Sequence, residues 1–215
     1  MTDPCEAALR ARIPDIATGF WQGLFSAYRT PVRHYHTIAH VAEVAGHFDR
    51  VADDIGWRQP DEVLLAVLFH DAVYRPGACD NERASAELAL ASIGRFWPRA
   101  NIDHQRVVTL IELTAAHGRL EQTAIDDEAA LFLDCDMAIL GADPLAYRRY
   151  ADAVAEEYRP VVPAAAYRAG RRAFLERVLS STRIFLSDYF HHELDAAARR
   201  NLADELARQT LGGRR

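Results

Sequence analysis

Residues 63–69 of the sequence read VLLAVLF, seven apolar residues in a row, and His70 and Asp71 follow directly. A helix that is apolar on all sides is stable only where neighbouring elements bury it. An unpaired aspartate in such surroundings is costly unless a partner compensates its charge. The segment therefore predicts a central buried helix over residues 61–75 that carries an ionisable pair and a partner for it. An arginine for Asp71 and a backbone carbonyl for His70 would satisfy the pair as well as a cation would.

The rest of the chain is predicted to be helical as well. Apolar residues recur at helical spacing, no segment alternates as a strand does, and short signals of Pro, Gly or Asp separate the segments. The connections are too short to mark a domain boundary. We predict one all-α domain over residues 1–215, with a motif core at about 33–141 and C-terminal helices at 144–210 that pack on it. The predicted helices are 5–28, 38–56, 61–75, 81–95, 104–117, 127–140, 144–158, 164–186 and 192–210, with Asp80, Asp103 and Asp126 as N-caps.

Composition narrows the classes of function. The 215 residues carry a formal net charge of −6, and the basic residues are arginines that form no run longer than a pair. A chain that binds long nucleic acids needs a basic track, so such a partner is not expected. The three cysteines show no metal-binding spacing, and the sequence shows neither a signal peptide nor a membrane span. We expect a cytoplasmic protein without a membrane partner.

A second helical segment, DDEAALFLDCDMAILG at 126–141, also places acids among apolar residues. At 100° per residue, Asp136 lies in the middle of the stripe formed by Phe132, Leu133 and Leu140, whereas Asp134 points roughly 160° away. Two buried aspartates on two core helices are hard to explain without a cation. Asp136 is therefore the predicted metal ligand, and Asp134 is predicted to support the site or to be structural.

Further candidates come from three other segments. In RHYHTIAHVAEVAGHF, residues 33–48, His40 lies in a first helical turn at the margin of the apolar stripe and is a predicted ligand. His36 precedes that helix and is predicted to face the substrate or to support a ligand. His117 shares a helix face with Leu110 and Leu113 and is a predicted catalytic residue.

The first turn of the helix at 81–95 contributes the last two candidates. Asn81 and Glu82 stand there, where capping and a favourable interaction with the helix dipole are the simpler explanation. We nevertheless carry Glu82 forward as a predicted catalytic residue and Asn81 as a predicted substrate contact.

Taken in order, His40, the pair His70-Asp71 and Asp136 form the pattern H…HD…D on a helical chain. This pattern resembles the HD superfamily of metal-dependent phosphohydrolases, and in particular a branch of predicted metal-dependent HD phosphohydrolases. The resemblance extends from about residue 30 to 206, over the stretches RHYHTIAHV, FHDAVY, NERASA, TAAH, DCDMAILG, EEYRPV, YRAGRRAFL and ARRNLADEL. No single stretch is diagnostic, but their order is specific.

The resemblance implies an HD-type helical bundle around a buried metal that is held by His40, His70, Asp71 and Asp136. It also implies hydrolysis of phosphate esters or anhydrides, often in nucleotides. Two imidazoles and two carboxylates, with water completing the sphere, suit one divalent Mn, Fe, Co, Ni or Mg ion better than a closed zinc site. Such an ion activates water and neutralises charge on a phosphoryl oxygen.

The sequence departs from the family in two places. Branches that hydrolyse guanosine tetraphosphate or deoxynucleotide monophosphates carry a glutamate soon after the pair, but Ala72, Val73 and Tyr74 follow it here. Glu82 is a candidate replacement for that acid, which only geometry can decide. Dinuclear relatives, including diiron oxygenases, place a further histidine where this chain has Asn81. This favours one metal ion over two, although Asn81, Glu82 and His117 could still complete a weaker second site.

The predicted roles follow from this set. Asp71 or Glu82 accepts a proton from water, and His117 or His36 protonates the leaving oxygen. Arg33 and Arg171 are predicted to hold a phosphate, although ion pairs would explain them as simply. The expected substrate is a small phosphorylated compound, such as a nucleotide, cleaved at a phosphomonoester or pyrophosphate bond. The alternatives are an HD-type diiron oxygenase and a non-catalytic helical metal-binding module.

Overall fold

A computed structural model describes residues 3–97, 101–116 and 118–212 of the chain. Within these ranges every regular element is a helix and there is no strand, which confirms the all-α prediction. None of the helices in these ranges is long and apolar enough to cross a membrane. The α-helices are α1 Pro4–Arg12, α2 Thr18–Arg29, α3 Ile38–Asp54, α4 Pro60–Phe69, α5 Asn81–Phe96, α6 His104–Leu113, α7 Asp127–Met137, α8 Pro144–Tyr158, α9 Ala164–Ser180 and α10 Asp188–Gly212. Short 3₁₀ helices span Thr114–Ala116, Gln122–Ala124 and Ala138–Gly141.

The chain divides into two compact units, Met1–Ala116 with α1 to α6 and His117–Arg215 with α7 to α10. The single domain expected from the sequence, with helices 144–210 packed on a core at 33–141, stays a prediction.

In the first unit α4 is the central helix. It packs against α3, α5 and α6, and every residue from Glu62 to Phe69 is buried. Burying one valine, leucine or phenylalanine side chain contributes about 1.5–3 kcal/mol, so this helix is a main source of the unit's stability. The buried carboxylate of Glu62 accepts a hydrogen bond from the backbone N–H of Asp103 at 2.8 Å. Asp103 in turn caps α6 by accepting from the N–H of Arg106.

The prediction that this helix continues to residue 75 is wrong, because α4 ends at Phe69. The backbone beyond that point is held by another part of the chain. The guanidinium of Arg33 donates to the carbonyls of Asp71 and Ala72 at 2.5 and 2.9 Å. Carbonyls that are bonded in this way are not available to the i→i−4 bonds of a longer helix.

The predicted helix 5–28 is also interrupted. α1 ends at Arg12 and α2 begins at Thr18. Pro14 lies between them, and a residue that precedes proline is driven out of the helical region. Ile13 accordingly has φ −135° and ψ 72°.

In the second unit α10 packs against α7, α9 and the 3₁₀ turn Ala138–Gly141, and α8 packs on the same turn. A Cβ atom at Gly141 would lie 2.6 Å from the Cβ of Leu194, so only glycine permits this approach. Asp126 and Asp143 cap α7 and α8 by accepting from backbone N–H groups in their first turns. The predicted capping role of Asp126 is thereby confirmed.

α9 ends at Ser180 and not at residue 186, and α10 begins at Asp188 and not at 192. Buried charged side chains hold the connection in a non-helical form. Its N–H groups donate to aspartates: Ile184 to Asp195 at 2.7 Å, and Leu186 and Ser187 to Asp134 at 2.8 and 2.7 Å. The guanidinium of Arg199 binds its carbonyls, those of Leu179, Ser181 and Thr182, at 3.0–3.1 Å.

A buried ion pair joins α9 to α10. Arg171 binds Glu205 in a bidentate way, with Nε–Oε1 and Nη2–Oε2 distances of 2.8 and 2.9 Å. The hydroxyl of Tyr147 donates to the same carboxylate at 2.5 Å, and Nη1 of Arg171 donates to the hydroxyl of Tyr150 at 3.1 Å. Burial acts to raise the pKa of Glu205, but the Arg171 guanidinium outweighs it, so that pKa lies below its ordinary value.

We predict that Glu205→Ala destabilises the protein by about 3–5 kcal/mol, because it leaves the Arg171 cation buried without its counter-charge. Glu176→Ala, which breaks the exposed pair with Arg172, should cost only about 0.3–0.5 kcal/mol. Urea unfolding of both variants measures the difference. Since the folded-state pKa of Glu205 is lowered, its contribution is complete above the unfolded-state pKa and is lost as pH falls through the folded-state value. Equal destabilisation by both substitutions would contradict the central role of the pair.

Candidate metal centre

Three of the predicted ligands meet in the first unit. One donor atom from each of His40, His70 and Asp71 lies within 4.8 Å of the other two. Nε2 of His70 is 3.2 Å from Nε2 of His40 and 3.2 Å from Oδ2 of Asp71, and the third side, His40 to Asp71, is 3.7 Å. Ligand atoms bound at roughly 2.1 Å and at right angles to one another are about 3 Å apart. The triangle therefore has the dimensions of three ligands on one side of a single ion.

The backbone fixes the orientation of His70. This residue follows α4 in helical conformation, and its Nδ1 lies 3.0 Å from the carbonyl oxygen of Val67. A carbonyl can only accept, so Nδ1 carries the proton and, in the neutral ring, Nε2 carries the lone pair that faces the centre. Orientation of a ligand histidine by a backbone carbonyl is common at metal sites.

The centre is closed on the histidine side and open on the aspartate side. The side chains of His40 and His70 are 2% and 1% exposed, whereas that of Asp71 is 17% exposed. Nε2 of His40, Nε2 of His70 and one carboxylate oxygen of Asp71 converge on one point, where a cation would satisfy all three. A hydrogen bond from Nε2–H of a neutral His40 to Nε2 of His70 would account for the same contact, and metal analysis separates the two cases.

Aromatic rings surround the histidines. Tyr35 lies against His40 with ring centroids 4.7 Å apart, and His36 stacks on Tyr74 at 4.0 Å with an angle of 24° between the rings. The centroids of His36 and His40 are 6.0 Å apart. His36 is thus a neighbour of the centre and lies outside the group of His40, His70 and Asp71, and its role toward a substrate or a ligand stays a prediction.

Arg33 occupies a different place from the one predicted. Its Nη1 donates to the carbonyls of His36 and Asp71 at 3.1 and 2.5 Å, and its Nη2 donates to those of Ala27 and Ala72 at 3.0 and 2.9 Å. Each terminal nitrogen carries two hydrogens, so these bonds use all of them. The bidentate fork that would hold a phosphate is therefore engaged with the backbone, and Arg33 positions the two segments on either side of the centre.

Asn81 also has a structural task in place of the predicted substrate contact. Its side-chain oxygen accepts from the N–H of Arg75 and its side-chain nitrogen donates to the carbonyl of Arg75, both at 3.0 Å. Ser85 does the same one turn later, since its hydroxyl accepts from the N–H of Val73 at 3.0 Å and donates to the carbonyl of Val73 at 3.2 Å. The two side chains fasten the segment after Asp71 to α5. Both amide atoms of Asn81 are bonded to the backbone of Arg75, and the expectation of one metal ion stays a prediction.

The remaining predicted residues are placed as follows. Glu82 is half-buried in the first turn of α5, outside the group of His40, His70 and Asp71. His117 lies outside the described residues. Arg171 belongs to the ion pair of the second unit, where its guanidinium is bound to Glu205.

The sequence predicts that Asp136 is the more deeply buried of the two aspartates of α7, but the structure shows the reverse. Asp134 is buried and Asp136 is half-buried. Asp134 accepts from the N–H groups of Leu186 and Ser187 and from the hydroxyl of Ser187, the last at 2.6 Å. Burial raises the pKa of Asp134 to about 7, although these bonds act in the opposite direction. The structural alternative for Asp134 is the one observed, and Asp136 as fourth ligand stays a prediction.

Tyr74 and Ser85 were not among the residues singled out from the sequence. Both lie within stretches that carry the family resemblance, FHDAVY and NERASA. The residue type alone does not show that Tyr74 stacks on a histidine or that Ser85 binds the backbone. A tyrosine that stacks on a histidine from another segment can be found only from coordinates.

Comparisons with protein-family models, with curated proteins and with solved structures give no match for this chain. The case for a metal centre therefore depends on the residues and their geometry.

We predict that the purified protein holds about one equivalent of divalent metal, and that His70→Ala or Asp71→Ala abolishes binding because each removes a corner of the ligand triangle. Asp134→Asn should retain the metal, since the Asp134 carboxylate is committed to the α9–α10 connection. Elemental analysis after dialysis provides the measurement. Two equivalents of iron in the dialysed protein would overturn the assignment of a single ion.

A second prediction concerns Arg33. Arg33→Met should weaken metal affinity roughly 10- to 100-fold, because the substitution releases the carbonyls that orient the segment carrying Asp71. Arg33→Lys should restore part of the affinity. Arg12→Met removes an arginine of the same unit, one paired with Asp49, and should leave metal affinity unchanged. Competition with a chromophoric chelator gives the dissociation constants, and identical values for wild type and Arg33→Met would rule out a positioning role.

Proposed function

We propose that this protein is a metal-dependent phosphohydrolase of the HD type that acts on a small phosphorylated compound, such as a nucleotide. The observation that supports the proposal is the convergence of His40, His70 and Asp71 on one point with the carboxylate side open to solvent. A bound divalent ion would lower the pKa of a water molecule and neutralise charge on a phosphoryl oxygen.

The ligand set leaves room for this chemistry. Three protein donors occupy one side of the point on which they converge, and Asp136 is the proposed fourth. A closed structural zinc site needs four protein ligands and no open position. A site with nitrogen and carboxylate donors and a solvent-accessible edge suits a catalytic ion with exchangeable water ligands better.

Asp71 and Glu82 are the proposed proton acceptors. Asp71 has one carboxylate oxygen at the centre and is the most exposed of the three ligands, so its second oxygen is the better placed to receive a proton from water. Glu82, half-buried at the start of α5, is the alternative base.

His36 and His117 are the proposed proton donors to the leaving oxygen. The structure supports His36 by its position, because its ring is stacked on Tyr74 and lies 6.0 Å from that of His40. Stacking holds the imidazole in one orientation, which a general acid requires. With Arg33 engaged by backbone carbonyls, the phosphate is proposed to bind chiefly through the metal and these neighbouring groups.

We predict that the metal-loaded protein releases phosphate or pyrophosphate from at least one member of a panel of nucleotides and phosphomonoesters, assayed with Mn, Co, Ni and Mg. Asp71→Asn should lower turnover by roughly two to three orders of magnitude, as expected for loss of a central electrostatic group. Asp49→Asn makes the same chemical change on α3, outside the ligand group, and should retain activity. His36→Gln should lower kcat while the metal stays bound, and a pH profile of kcat that loses its alkaline limb in this variant would identify His36 as the acid.

Two outcomes would contradict the proposal. Full metal occupancy in Asp136→Ala would remove Asp136 from the ligand set. Failure of the whole panel, combined with oxygen uptake in the presence of ferrous iron, would replace hydrolysis by the oxygenase alternative.

A further inference from the structure

The second unit contains two adjoining cavities between the end of α8 and the first half of α9. Because they share lining residues, we treat them as one site, here called the α8–α9 cavity. Their volumes are about 640 and about 400 Å³, and Val162 and Tyr167 line both of them. Pockets for small molecules usually measure roughly 300–1,000 Å³ and combine apolar walls with a few polar groups. The α8–α9 cavity has that size, and all of its lining residues belong to the second unit.

The walls are apolar and aromatic. Val154, Val162 and Phe174 contribute apolar surface, and the rings of Tyr158 and Tyr167 lie 5.6 Å apart at 41°. A flat ring inserted here would meet aromatic faces and aliphatic side chains. Such surroundings favour a ligand with an aromatic or apolar body.

Two tyrosine hydroxyls of the cavity can donate hydrogen bonds. Within the described part of the chain, the hydroxyls of Tyr158 and Tyr167 form no hydrogen bond. Burial raises the pKa of Tyr167 to about 12, so this phenol keeps its proton at neutral pH and can donate it. The hydroxyls of these two half-buried tyrosines lack an acceptor among the described residues and can donate to a ligand that brings acceptors with it.

The charge of the lining is positive. Arg159, Arg168 and Arg171 line the cavity, and Glu156 is its only acidic group among the described residues. Glu156 is paired with Arg159 at 2.9 Å, and Arg171 is paired with Glu205. Arg168 makes no hydrogen bond or ion pair with any described residue, so its guanidinium is available to an anion.

We propose that the α8–α9 cavity binds a small organic anion, a carboxylate or phosphate monoester attached to an aromatic or apolar body. The ring lies against Tyr158 and Tyr167, and the anionic group accepts from Arg168 and from the tyrosine hydroxyls. This is a binding site separate in its residues from the metal centre, and it does not depend on the proposed hydrolase activity.

Gly170 provides a variant that fills the cavity without removing a contact. It lies within α9 and lines the cavity, and a Cβ atom built there has open space around it. Gly170→Leu therefore introduces bulk into the site, and because glycine is a weak helix former the substitution does not weaken α9. Gly94→Leu is the matched control, since Gly94 lies in α5 with equally open space.

The test is a fluorescence titration of the full-length protein with 1-anilinonaphthalene-8-sulfonate, an aromatic anion. We expect one saturable site whose affinity falls at least tenfold in Gly170→Leu and at least roughly tenfold in Arg168→Gln, as for loss of one charge-assisted hydrogen bond. Gly94→Leu and Arg148→Gln, the latter an exposed arginine of α8 outside the cavity, should bind as the wild type does. Phenylphosphonate and benzoate should compete with the probe, whereas benzyl alcohol should not.

Each other outcome overturns the proposal. Unchanged affinity in Gly170→Leu and Arg168→Gln would place the probe elsewhere, and equal competition by benzyl alcohol would exclude an anion site. A dimer in sedimentation that only Gly170→Leu dissociates would show that a second copy of the chain fills the cavity. Because phenylphosphonate is not hydrolysed and the probe does not require the metal, these results are independent of the outcome for phosphatase activity.

Discussion

The candidate metal centre of the first unit depends on the hydrogen bonds that the guanidinium of Arg33 donates to backbone carbonyls. α4 is buried on every side, so His70, which follows its last turn, lies in the interior. The backbone carbonyls at this end of the helix need hydrogen-bond partners from outside it. Arg33 supplies the hydrogen bonds for Asp71 and Ala72 and, with the same guanidinium, for His36 and Ala27. The segments before α3 and after α4 are thereby joined at one residue, and the triangle of His40, His70 and Asp71 forms between them. A lysine could not reach this number of carbonyls, since its three N–H groups leave from a single nitrogen.

In the second unit, the backbone between α9 and α10 also obtains its hydrogen bonds from charged side chains, here of both signs. The connection between α9 and α10 has N–H groups bound by Asp134 and Asp195 and carbonyls bound by Arg199. Arg199 also pairs with Asp195 at 2.6 Å, so the groups that hold the two kinds of backbone atom neutralise each other. Each charge replaces hydration by several hydrogen bonds, the condition under which burial of a charged group is tolerated. This arrangement accounts for the burial of Asp134, for which the sequence left open a supporting role near the metal and a structural role.

The periodicity of apolar residues predicted most of the helical segments. Its errors at the ends of α4 and α9 have a common cause. The helical segments and the burial of α4 follow from apolar spacing alone, and Asp103 and Asp126 could be recognised as caps because capping is a local interaction. The ends of α4 and α9 could not be predicted, since the groups that bind the backbone there, Arg33 for α4 and Arg199 for α9, are distant in sequence. The same limit applies to the site. His40, His70 and Asp71 were found by combining burial with residue type, whereas Arg33 and Asn81 were assigned to substrate because a sequence does not show that a donor is already occupied.

The three candidate ligands differ in exposure, so the candidate centre is accessible to solvent from one side only, that of Asp71. His40 and His70 are buried, and the Val67 carbonyl holds Nδ1 of His70, so Nε2 of His70 faces His40 and Asp71 in one orientation. Asp71 stands at the edge, with its main chain fixed by Arg33 and its carboxylate partly in water. Under the proposed function, water and an anionic substrate would reach the centre from the carboxylate side, the more exposed one. A carboxylate there repels a phosphate unless a cation lies between them, because two anions a few ångströms apart in a partly buried site oppose each other strongly. The same geometry that makes Asp71 accessible thus makes an ion at the point of convergence a requirement for phosphate chemistry.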